Sequence, residues 1–540
     1  MQGTKRLKDP IYGYIEIPKD IMNTIVDTAE FQRLRNIIQT SYAPLYSSAV
    51  HNRFVHSLGV YHLGGIVAAT IKEKLSDDVP VKDLDRTLQI FELACLLHDL
   101  GHSPFSHTGE GYYLNNGSRD ELHSEIVELT GDNDLENEIK LKNYKAAPHE
   151  LMSVIVSLKR FETFFNLPEE KSLFARCILG YQYAEKVNPK HSFLNCIISF
   201  LNSSIIDVDR LDYLIRDAYL TGFDTISIDY ERLLRSINIV LYKNSYEVVY
   251  AKSAISVIEN VVYAHDAERK WIQNHPVVQY ESYLLRNIID ALDEKYHDKK
   301  LFSYESLTVE GIPLNDEYRI SLLSDSDIVF LMKNMKNASV DEYFQRQLRR
   351  HPLWKSEPEY KAIFSKGFTD DLFDKLDAAL DELSRHMNYV CKSQEINQTS
   401  LELMVSDLQA TKEMAEMDTS NEKRTKMERV VKGKERNIKW LEVFKKFAET
   451  QKIPFDFVII KANQFNSGFS KEAFGNILIS FDSIEAPQKF KDVTNILKAD
   501  KSSRDKFFYL YCRKNKDSRK IDLNVIASLI GRTAMDELYS

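Results

Sequence analysis

The chain has 540 residues, of which 71 are Lys or Arg and 80 are Asp or Glu, giving a formal net charge of -9. This length excludes a single small binding module, and the acidic balance disfavours attraction of the whole surface to nucleic acid or to an anionic membrane. With 18 Gly and 14 Pro, both residue types occur at about half their usual shares of ~7% and ~5%, which excludes collagen-like and turn-rich all-β chains and predicts a mainly helical protein.

The five cysteines are widely spaced and form no C-x-x-C pair, so they indicate neither a disulfide framework nor a cysteine zinc site. The first residues, MQGTKRLK, lack the apolar stretch of a signal peptide. No uninterrupted apolar run reaches the ~18 residues that a membrane-spanning helix needs. We therefore expect a cytoplasmic protein that does not enter a membrane.

Apolar residues recur at three- and four-residue steps through residues 1–297, which predicts a large helical core. Residues 298–392 are predicted to extend this core. The highly charged stretch 393–452 predicts two long antiparallel helices with a joint near residues 418–421. Residues 453–540 are predicted to form a small α/β lobe from three β-prone runs: Phe455–Ile460, Ile477–Phe481 and Phe507–Cys512. The expected fold class is thus mainly α.

The segment Lys423–Lys439 carries eight basic and two acidic residues. Such a cluster could contact nucleic acid or nucleotide phosphates. Aromatic side chains for base stacking are nearly absent from it. We therefore favour a solvated helix face, and nucleic acid is not the favoured partner.

Six of the fourteen histidines lie between residues 51 and 107. Among them, His98 and the adjacent Asp99 follow an apolar helix and offer an imidazole nitrogen and a carboxylate oxygen to one cation. His56 is a third candidate ligand, with Arg53 one helical turn earlier on the same face. Asp209 lies in an otherwise apolar segment, where an unpaired charge would be costly. Each residue alone is more simply a core histidine or a surface carboxylate, but together they predict one metal site.

This H…HD…D pattern, with an arginine before the first histidine, resembles that of the HD-domain metal-dependent phosphohydrolases. Longer strings narrow the resemblance to the deoxynucleoside triphosphate triphosphohydrolases, a group that includes the bacterial dGTPases. The strings are DPIYGYIE (residues 9–16), FQRLRNIIQ (31–39), HNRFVHSLGV (51–60) and HDLGHSPFSH (98–107). The resemblance runs from Asp9 to about His275 and weakly includes the C-terminal lobe. It implies an HD-domain helical core as the catalytic part of the chain.

The resemblance implies a divalent metal, Mn, Fe, Zn or Mg, at the HD site, and a Mg ion that accompanies the nucleotide. The ligands of the metal at the HD site would be His56, His98, Asp99 and Asp209. Arg53 would contact the α-phosphate, where the metal and the guanidinium together stabilise developing negative charge.

Further histidines match catalytic positions of the family. His107, held by the carboxylate of Glu110, would protonate the departing 5′-oxygen. His102 and His149 would meet the phosphates. His123 is a rival for the role of His149, and an ordinary surface histidine is the alternative for His102 and His149.

Substrate contacts are implied at positions that match the family's phosphate and sugar ligands: Gln39, Arg210, Tyr213 and Asp217. A helix predicted over Ile258–Asp290 should complete the pocket. In it, His265 and Arg269 are i,i+4 neighbours and candidate phosphate ligands, with a surface pair as the equally good alternative.

Members of this family assemble as oligomers in which nucleotides bound between subunits activate the enzyme. The resemblance therefore implies a homo-oligomer (a dimer, a tetramer or a larger assembly) and an activating nucleotide. The residues that match regulatory contacts are Lys5, Asp27, Gln32, Arg35, Arg232, Lys252 and Lys355. Interhelical salt bridges explain the same residues equally well.

The function predicted from these observations is metal-dependent hydrolysis of a dNTP, with dGTP as a candidate preference, to deoxynucleoside and inorganic triphosphate. Control of the dNTP pool and antiviral dNTP depletion are equally compatible uses. Two alternatives stay open at this point: an HD-type nuclease or phosphodiesterase acting on oligonucleotides, and a nucleotide sensor without catalysis.

Overall fold

The computed structural model describes residues 3–40, 45–75, 79–142, 146–203, 205–223, 227–364, 369–417, 421–463, 471–496, 506–513 and 521–539. The chain forms two compact units, each built from discontinuous segments. Unit 1 comprises Met1–Ile272, Leu285–Asn337 and Ser467–Ala499, and unit 2 comprises Gln273–Leu284, Ala338–Asn466 and Asp500–Ser540. The domain boundaries that we predicted after residues 297, 392 and 452 remain a prediction.

The fold is mainly α, as predicted. Its helices of eight or more residues are α1 Arg53–Lys74, α2 Leu84–Leu97, α3 Arg119–Thr130, α4 Asn133–Lys142, α5 Pro148–Arg160, α6 Pro168–Leu179, α7 Pro189–Leu201, α8 Val208–Thr221, α9 Ile255–Glu268, α10 Pro276–Lys295, α11 Asp325–Lys333, α12 Glu357–Phe364, α13 Asp370–Cys391, α14 Gln398–Met417, α15 Asn421–Gln451 and α16 Leu523–Tyr539.

The strands are short and form small sheets. In chain order they are β1 Thr4–Asp9, β2 Gly13–Pro18, β3 Ile237–Tyr242, β4 Ser245–Ala251, β5 Ile312–Pro313, β6 Arg319–Ile320, β7 His351–Pro352, β8 Glu395–Asn397, β9 Asp456–Asn463, β10 Leu478–Phe481, β11 Ile484–Lys489 and β12 Lys506–Cys512. In unit 1, β1 pairs with β2, β5 pairs with β6, and a four-stranded sheet has the order β11-β10-β4-β3. In unit 2 the order is β7-β12-β9-β8, and all of its pairs are antiparallel.

Helix α1 is the central helix of unit 1 and packs against α2, α8 and β3. Its buried residues Val60, Leu63, Val67 and Ile71 follow the three- and four-residue steps of one helix face. By length and hydropathy, α1 alone among the described helices could cross a membrane, but 72% of its most apolar window is buried within the fold. Its apolar residues therefore build the core of unit 1.

Unit 2 has a separate core between the long helices and its sheet. Trp440, Phe444 and Phe447 of α15 are buried there together with Phe457 of β9. Helices α14 and α15 run antiparallel, as predicted, since Gln398 contacts Lys445 while Lys412 pairs with Glu435. Of the predicted joint at residues 418–421, residues 418–420 lie outside the described part of the chain.

The basic segment Lys423–Lys439 lies within α15. Lys434 donates a hydrogen bond to Thr411 over 2.7 Å and pairs with Asp407 over 2.6 Å, and Arg436 pairs with Glu382. These contacts connect α15 to α13 and α14. The observed partners favour a structural use of these two cations.

Two local predictions differ from the structure. The helix predicted over Ile258–Asp290 is interrupted: α9 ends at Glu268, a π-helical turn covers Arg269–Gln273, and α10 begins at Pro276. Proline has no backbone N–H and favours a helix start, which explains the break.

The three strands predicted in the C-terminal segment are divided between two sheets. The three predicted strands are present, but β10 joins unit 1 by pairing in parallel with β4, whereas β9 and β12 pair with each other in unit 2. Residues 298–392, predicted to be helical, also contain the two-residue strands β5, β6 and β7. Short β-prone runs do not encode which partner strand they pair with, because pairing depends on tertiary contacts.

Candidate active site

The four predicted metal ligands meet at one point inside unit 1. The Nε2 atoms of His56 and His98 lie 3.3 Å apart. Asp209 Oδ1 is 3.0 Å from His56 Nε2 and 3.7 Å from His98 Nε2. The carboxylate of Asp99 is 3.5 Å from each of the two Nε2 atoms. These distances place two nitrogen and two carboxylate donors around one small volume.

Helix starts put two of these ligands in position. Asn52 caps α1 by accepting a hydrogen bond from Val55 N, which places His56 in the first turns of the helix. Asp207 caps α8 in the same way, accepting from Arg210 N over 2.8 Å, which places Asp209 in its first turn. The cap residues therefore fix where each ligand side chain leaves its helix.

Both ligand histidines are oriented through their other ring nitrogen. His56 Nδ1 donates to Asp212 Oδ2 over 2.7 Å, and His98 Nδ1 donates to the carbonyl oxygen of Cys95 over 2.9 Å. Each Nε2 atom is thereby directed at the shared volume, an arrangement typical of metal-binding histidines. Sequence analysis did not identify Asp212, although its place three residues after Asp209 on one helix face was a usable signal.

Asp212 is itself held by a buried ion-pair chain. Arg216 donates to both carboxylate oxygens of Asp212 over 2.9 Å, and its third nitrogen donates to Asp9 Oδ2 over 2.9 Å. Gly59 of α1 makes room for this contact, because a Cβ there would lie 1.9 Å from Asp212 Oδ1. The chain Asp9–Arg216–Asp212–His56 therefore connects the first hairpin to the ligand.

The donor set fits a divalent cation. Two imidazole nitrogens and two carboxylates suit Mn, Fe, Zn or Mg. Burial lowers the pKa of His56, but hydrogen bonds to Asp209 and Asp212 and the charge of Asp99 outweigh it and raise the pKa to about 10. This site thus favours positive charge, and a bound metal ion would have to displace a proton from His56.

Arg53 lies beside the metal ligands. Its NH1 donates to Asp99 Oδ2 over 2.8 Å, its Nε donates to Ser106 Oγ over 2.9 Å, and its NH2 donates to the carbonyl oxygen of Gln39 over 3.2 Å. Burial raises the pKa of Asp99, but Arg53 and the histidines outweigh it and lower the pKa well below its usual value. Arg53 is therefore fixed next to the candidate metal site, where it was predicted to contact the α-phosphate.

Three further predicted histidines form a cluster adjoining the metal ligands, the histidine cluster of His102, His107 and His149. The rings of His102 and His149 stack with centroids 4.0 Å apart, and the ring of His107 meets both edge to face. His102 Nε2 lies 3.2 Å from Asp99 Oδ1. Asp99 therefore belongs to both groups.

Glu110 joins two members of the histidine cluster. One carboxylate oxygen is 3.3 Å from His107 Nδ1, and the other accepts a short hydrogen bond from His149 Nδ1. His107 is 64% exposed, whereas His102 is fully buried, so His107 alone in the cluster faces solvent. His123, the rival of His149, instead contacts Tyr181.

The protonation states of the cluster differ. Burial lowers the pKa of His149, but Glu110 outweighs it and raises the pKa to about 9. Burial and the charge of Arg53 lower the pKa of His102 well below its usual value. His102 Nδ1 is buried and has no hydrogen-bond partner among the described residues. The cluster thus combines a charged histidine with a neutral one whose ring nitrogen is available to a ligand.

The predicted substrate residues on α8 and α9 lie near one another, since those two helices pack together. Arg210 pairs with Asp207 over 3.4 Å. Burial, together with Arg210 and Arg269, lowers the pKa of His265 to about 3. Burial raises the pKa of Tyr213 well above its usual value, against the effect of Arg210. Arg269 also pairs with Asp266 over 3.1 Å, so this region combines two cations with a neutral histidine.

Two other predicted contacts are engaged within the protein. Asp217 Oδ1 is 2.6 Å from His51 Nε2, and both side chains are buried. Gln39 contributes its carbonyl oxygen to Arg53, while its side-chain Oε1 is buried with no hydrogen-bond partner in the described part of the chain. Asp217 is therefore held by a histidine, whereas the amide of Gln39 is available to a ligand.

The residues predicted to bind a regulatory nucleotide make local contacts. Lys5 lies 3.8 Å from Asp27, Arg35 Nε donates to Gln32 Oε1 over 2.8 Å, and the Arg35 guanidinium lies 3.5 Å from the centroid of the Phe54 ring. In unit 1, Lys252 pairs with Asp482 over 2.5 Å and Arg232 is exposed, and in unit 2 Lys355 is exposed. The salt-bridge alternative thus accounts for Lys5, Asp27 and Lys252, while the regulatory role remains a prediction.

Two side chains that sequence analysis missed, the buried Arg33 and the half-buried Asp325, hold the loop that follows the HD pair. Arg33 donates to the carbonyl oxygens of Leu100 and His102 over 2.6 and 2.9 Å. Asp325, at the start of α11, accepts from Ile38 N over 2.8 Å and from Phe105 N over 2.7 Å. No local motif could reveal them, because Asp325 lies 220 residues from Phe105 in sequence.

We expect Asp212→Asn to lower metal affinity by about 10- to 100-fold, because His56 loses the charged acceptor that orients it. Competition with a metal chelator measures the change, and circular dichroism verifies the fold. Asp85→Asn is the control, since Asp85 is exposed and pairs with Lys72 at the surface. Unchanged affinity in Asp212→Asn would show that the contact to His56 does not support metal binding.

Asp325→Ala should destabilise unit 1 by about 3 kcal/mol, because the backbone N–H groups of Ile38 and Phe105, both in partly buried hydrogen bonds, lose their acceptor. Asp325→Asn retains one acceptor oxygen and should lose less. Urea unfolding compares both variants with Asp316→Ala, which removes an exposed carboxylate. Equal stability of all three variants would contradict the proposed support of the loop.

Glu110→Gln should lower the pKa of His149, because burial then acts without the opposing carboxylate. His149 has a folded pKa of about 9 against an ordinary value of 6.5, so its protonated form contributes stability below pH 6.5 that is lost as the pH rises through 9. The stability difference between wild type and Glu110→Gln should therefore be larger at pH 6 than at pH 10. NMR titration and urea unfolding measure both effects.

Glu136→Gln is the matched control for this prediction, since Glu136 is an exposed partner of Lys140. A stability difference between wild type and Glu110→Gln that does not depend on pH would show that Glu110 is not the source of the raised His149 pKa.

Comparison with known proteins agrees with this geometry. Residues 53–176 match the HD domain family. The chain is 28% identical over 305 residues to the uncharacterized protein YwfO of Bacillus subtilis, covering 56% of this chain and 58% of that protein. It is 26% identical over 341 residues to the deoxynucleoside triphosphate triphosphohydrolase SAMHD1 homolog of Dictyostelium discoideum, covering 62% and 58%. The mouse deoxynucleoside triphosphate triphosphohydrolase SAMHD1 is 32% identical over 256 residues, covering 46% of this chain and 36% of that protein.

A crystal structure of a hypothetical protein from Aquifex aeolicus matches 99% of this chain and 100% of that chain, with a TM-score of 0.52 and 19% identity, and so shows a similar fold. The matched regions span about half the length of the curated relatives, between 36% and 58% in the three comparisons above. The HD domain confirms the family resemblance predicted from the motifs. Residues 53–176 thus resemble the HD domain family, and the chain is similar to proteins named as deoxynucleoside triphosphate triphosphohydrolases.

Proposed function

We propose that this protein hydrolyses deoxynucleoside triphosphates to deoxynucleoside and inorganic triphosphate. One observation carries the proposal: Asp99 belongs to two adjoining groups of side chains. The first group, two histidines and two aspartates, suits a divalent cation. The second group is the histidine cluster. A cation site beside several imidazoles suits a substrate with a chain of phosphates, because both can contact phosphoryl oxygens. Relatives named as deoxynucleoside triphosphate triphosphohydrolases support the same substrate class.

The reaction forms a bond between a water oxygen and the α-phosphorus and breaks the bond between that phosphorus and the 5′-oxygen. When bound at the HD site, the cation supplies a Lewis acid that polarises the phosphoryl group and makes water more acidic. Arg53, fixed by Asp99 and Ser106, is positioned to stabilise negative charge on the α-phosphoryl oxygens.

The leaving 5′-oxygen needs a proton. His107 is the candidate donor, because its Nδ1 contacts Glu110 while the rest of its ring is exposed. The charged His149 and the neutral His102 are candidates to hold the remaining phosphates. On the sugar side, the buried amide of Gln39 and the hydroxyl of Tyr213 are candidate contacts.

The proposal includes activation by a nucleotide in a homo-oligomer in the cytoplasm. Lys5 lies beside Asp27 and Gln32 beside Arg35, as a nucleotide site would require, and the family resemblance implies nucleotide contacts at these four positions. A preference for dGTP is a further part of the proposal. Pool control and antiviral depletion of dNTPs both follow from the same reaction.

The oligonucleotide alternative receives less support. It depended on the basic segment Lys423–Lys439, in which Lys434 and Arg436 pair with carboxylates of neighbouring helices. A nucleotide sensor without catalysis would retain the binding residues and lack turnover. The following assay distinguishes all three functions.

With Mn²⁺ or Mg²⁺, the purified protein should convert at least one dNTP, alone or with a second nucleotide, into deoxynucleoside and triphosphate, measured by chromatography. The double variant His98→Ala, Asp99→Ala should lose metal and at least about 1,000-fold of the activity, because cation and charge stabilisation are both removed. Asp85→Asn should retain activity.

Formation of dNMP and pyrophosphate alone would remove the triphosphohydrolase assignment. Degradation of single-stranded oligonucleotides, lost in the double variant, would instead support the nuclease. Binding without turnover of any dNTP would support the sensor.

A further inference from the structure

A second concave site lies in unit 1, the sheet cleft. It encloses about 490 Å³ between α7 and the sheet that β10 and β11 complete. This volume is within the range of about 300–1,000 Å³ that is typical of small-molecule sites. None of the residues assigned above to the metal, the substrate or the regulatory nucleotide lines it.

The charge around the sheet cleft is positive. Its lining includes Lys186, Lys243 and Lys489, each of them exposed, against the carboxylate of Glu247. These lysines come from three separate parts of the chain, and this arrangement runs against the net charge of -9 of the whole protein. Such a local excess of ammonium groups favours a ligand with more than one negative charge.

The cleft also presents aromatic rings on a fixed backbone. Tyr242, Tyr246 and Tyr250 line it. Tyr246 N donates to Ser192 Oγ over 3.1 Å, and the Tyr246 ring packs edge to face on Phe193 with centroids 5.6 Å apart. Rigid tyrosine rings provide contact area for a planar group at low entropic cost.

We propose that the sheet cleft binds a nucleotide, with the phosphates near the lysines and the base against the tyrosines and the apolar floor. Phe200, Ile206 and Ile477 contribute to that floor. A single carboxylate would leave most of the lysine charge unmatched, and an apolar ligand would leave all of it unmatched. A polyphosphate with a planar ring satisfies both parts of the lining.

The cleft adjoins the segment that leads to the metal ligands. Ser203, Ile205 and Ile206 line it, and Ser203 N donates to Asp207 Oδ2 over 3.1 Å. Asp207 in turn caps α8, which carries Asp209. Occupation of the cleft therefore contacts residues whose hydrogen bonds fix the start of the ligand-bearing helix.

The proposal does not depend on the proposed function, because it concerns binding without turnover. We would titrate ATP, adenosine and inorganic triphosphate into the full chain by calorimetry in the presence of EDTA. The test variant carries Lys243→Gln and Lys489→Gln together. The control variant carries Lys140→Gln and Lys333→Gln, which remove the same charge from exposed positions elsewhere in unit 1. Tyr242→Leu tests the ring contact.

We expect ATP to bind wild type and the control variant equally. It should bind the double cleft variant at least about tenfold more weakly, because the loss of one phosphate contact of about 1.4 kcal/mol changes the affinity by that factor. Adenosine and triphosphate should each bind wild type more weakly than ATP. Tyr242→Leu should lose affinity for ATP while its affinity for triphosphate stays unchanged.

Three results would overturn the proposal. The first is equal ATP affinity in the cleft variant and the control. The second is equal affinity of wild type for triphosphate and ATP, which would indicate an anion patch without a base site. The third is no binding of ATP to wild type. Thermal unfolding of each variant verifies that the fold is retained, as expected for exposed lysines.

Discussion

The charge of Asp99 is the constraint around which the site is built. Asp99 is 1% exposed, and a charge at this depth is stable only when it is paired and hydrogen-bonded. Arg53 supplies the direct charge partner at 2.8 Å, and His56, His98 and His102 complete the surroundings within 3.5 Å. One buried carboxylate thus brings together the candidate cation site, an arginine and the histidine cluster.

Charged side chains that contact one another in sequence hold this site in place. His56 depends on Asp212, Asp212 depends on Arg216, and Arg216 reaches Asp9 in the first hairpin. On the other side, Arg33 and Asp325 hold the loop after the HD pair by hydrogen bonds to its backbone. A buried charge requires a partner, so the groups that pair with these charges also fix the geometry of the site.

Sequence analysis found the residues of the site far better than their connections. His98 and Asp99 were recognisable because they are adjacent after an apolar helix, and His56 because Arg53 precedes it by one helical turn. Asp209 was recognisable because it lies in an otherwise apolar segment, where an unpaired charge is costly. The pairing of Asp217 with His51 was not predictable, since nothing in either segment encodes the contact. The same holds for Asp325, which comes from a helix far along the chain.

The local sequence pattern likewise predicted helices and strands better than it predicted which strands pair with each other. Apolar periodicity predicted the helical core, and the charged composition of residues 393–452 predicted two long helices, both of which the structure contains. The β-prone runs near the C-terminus became strands, but β10 joined β4 in unit 1 while β9 and β12 paired in unit 2.

The sequence by itself therefore determined the helical class, the residue types of the candidate metal site and the HD resemblance, because these are properties of residue type and spacing along one segment. Tertiary structure alone decided which carboxylate orients which histidine, how the C-terminal strands are shared between the units, and where the sheet cleft forms. Those features arise from contacts between segments distant in the chain, and the free energy of burying charge and apolar surface selects among them only when the whole fold is assembled.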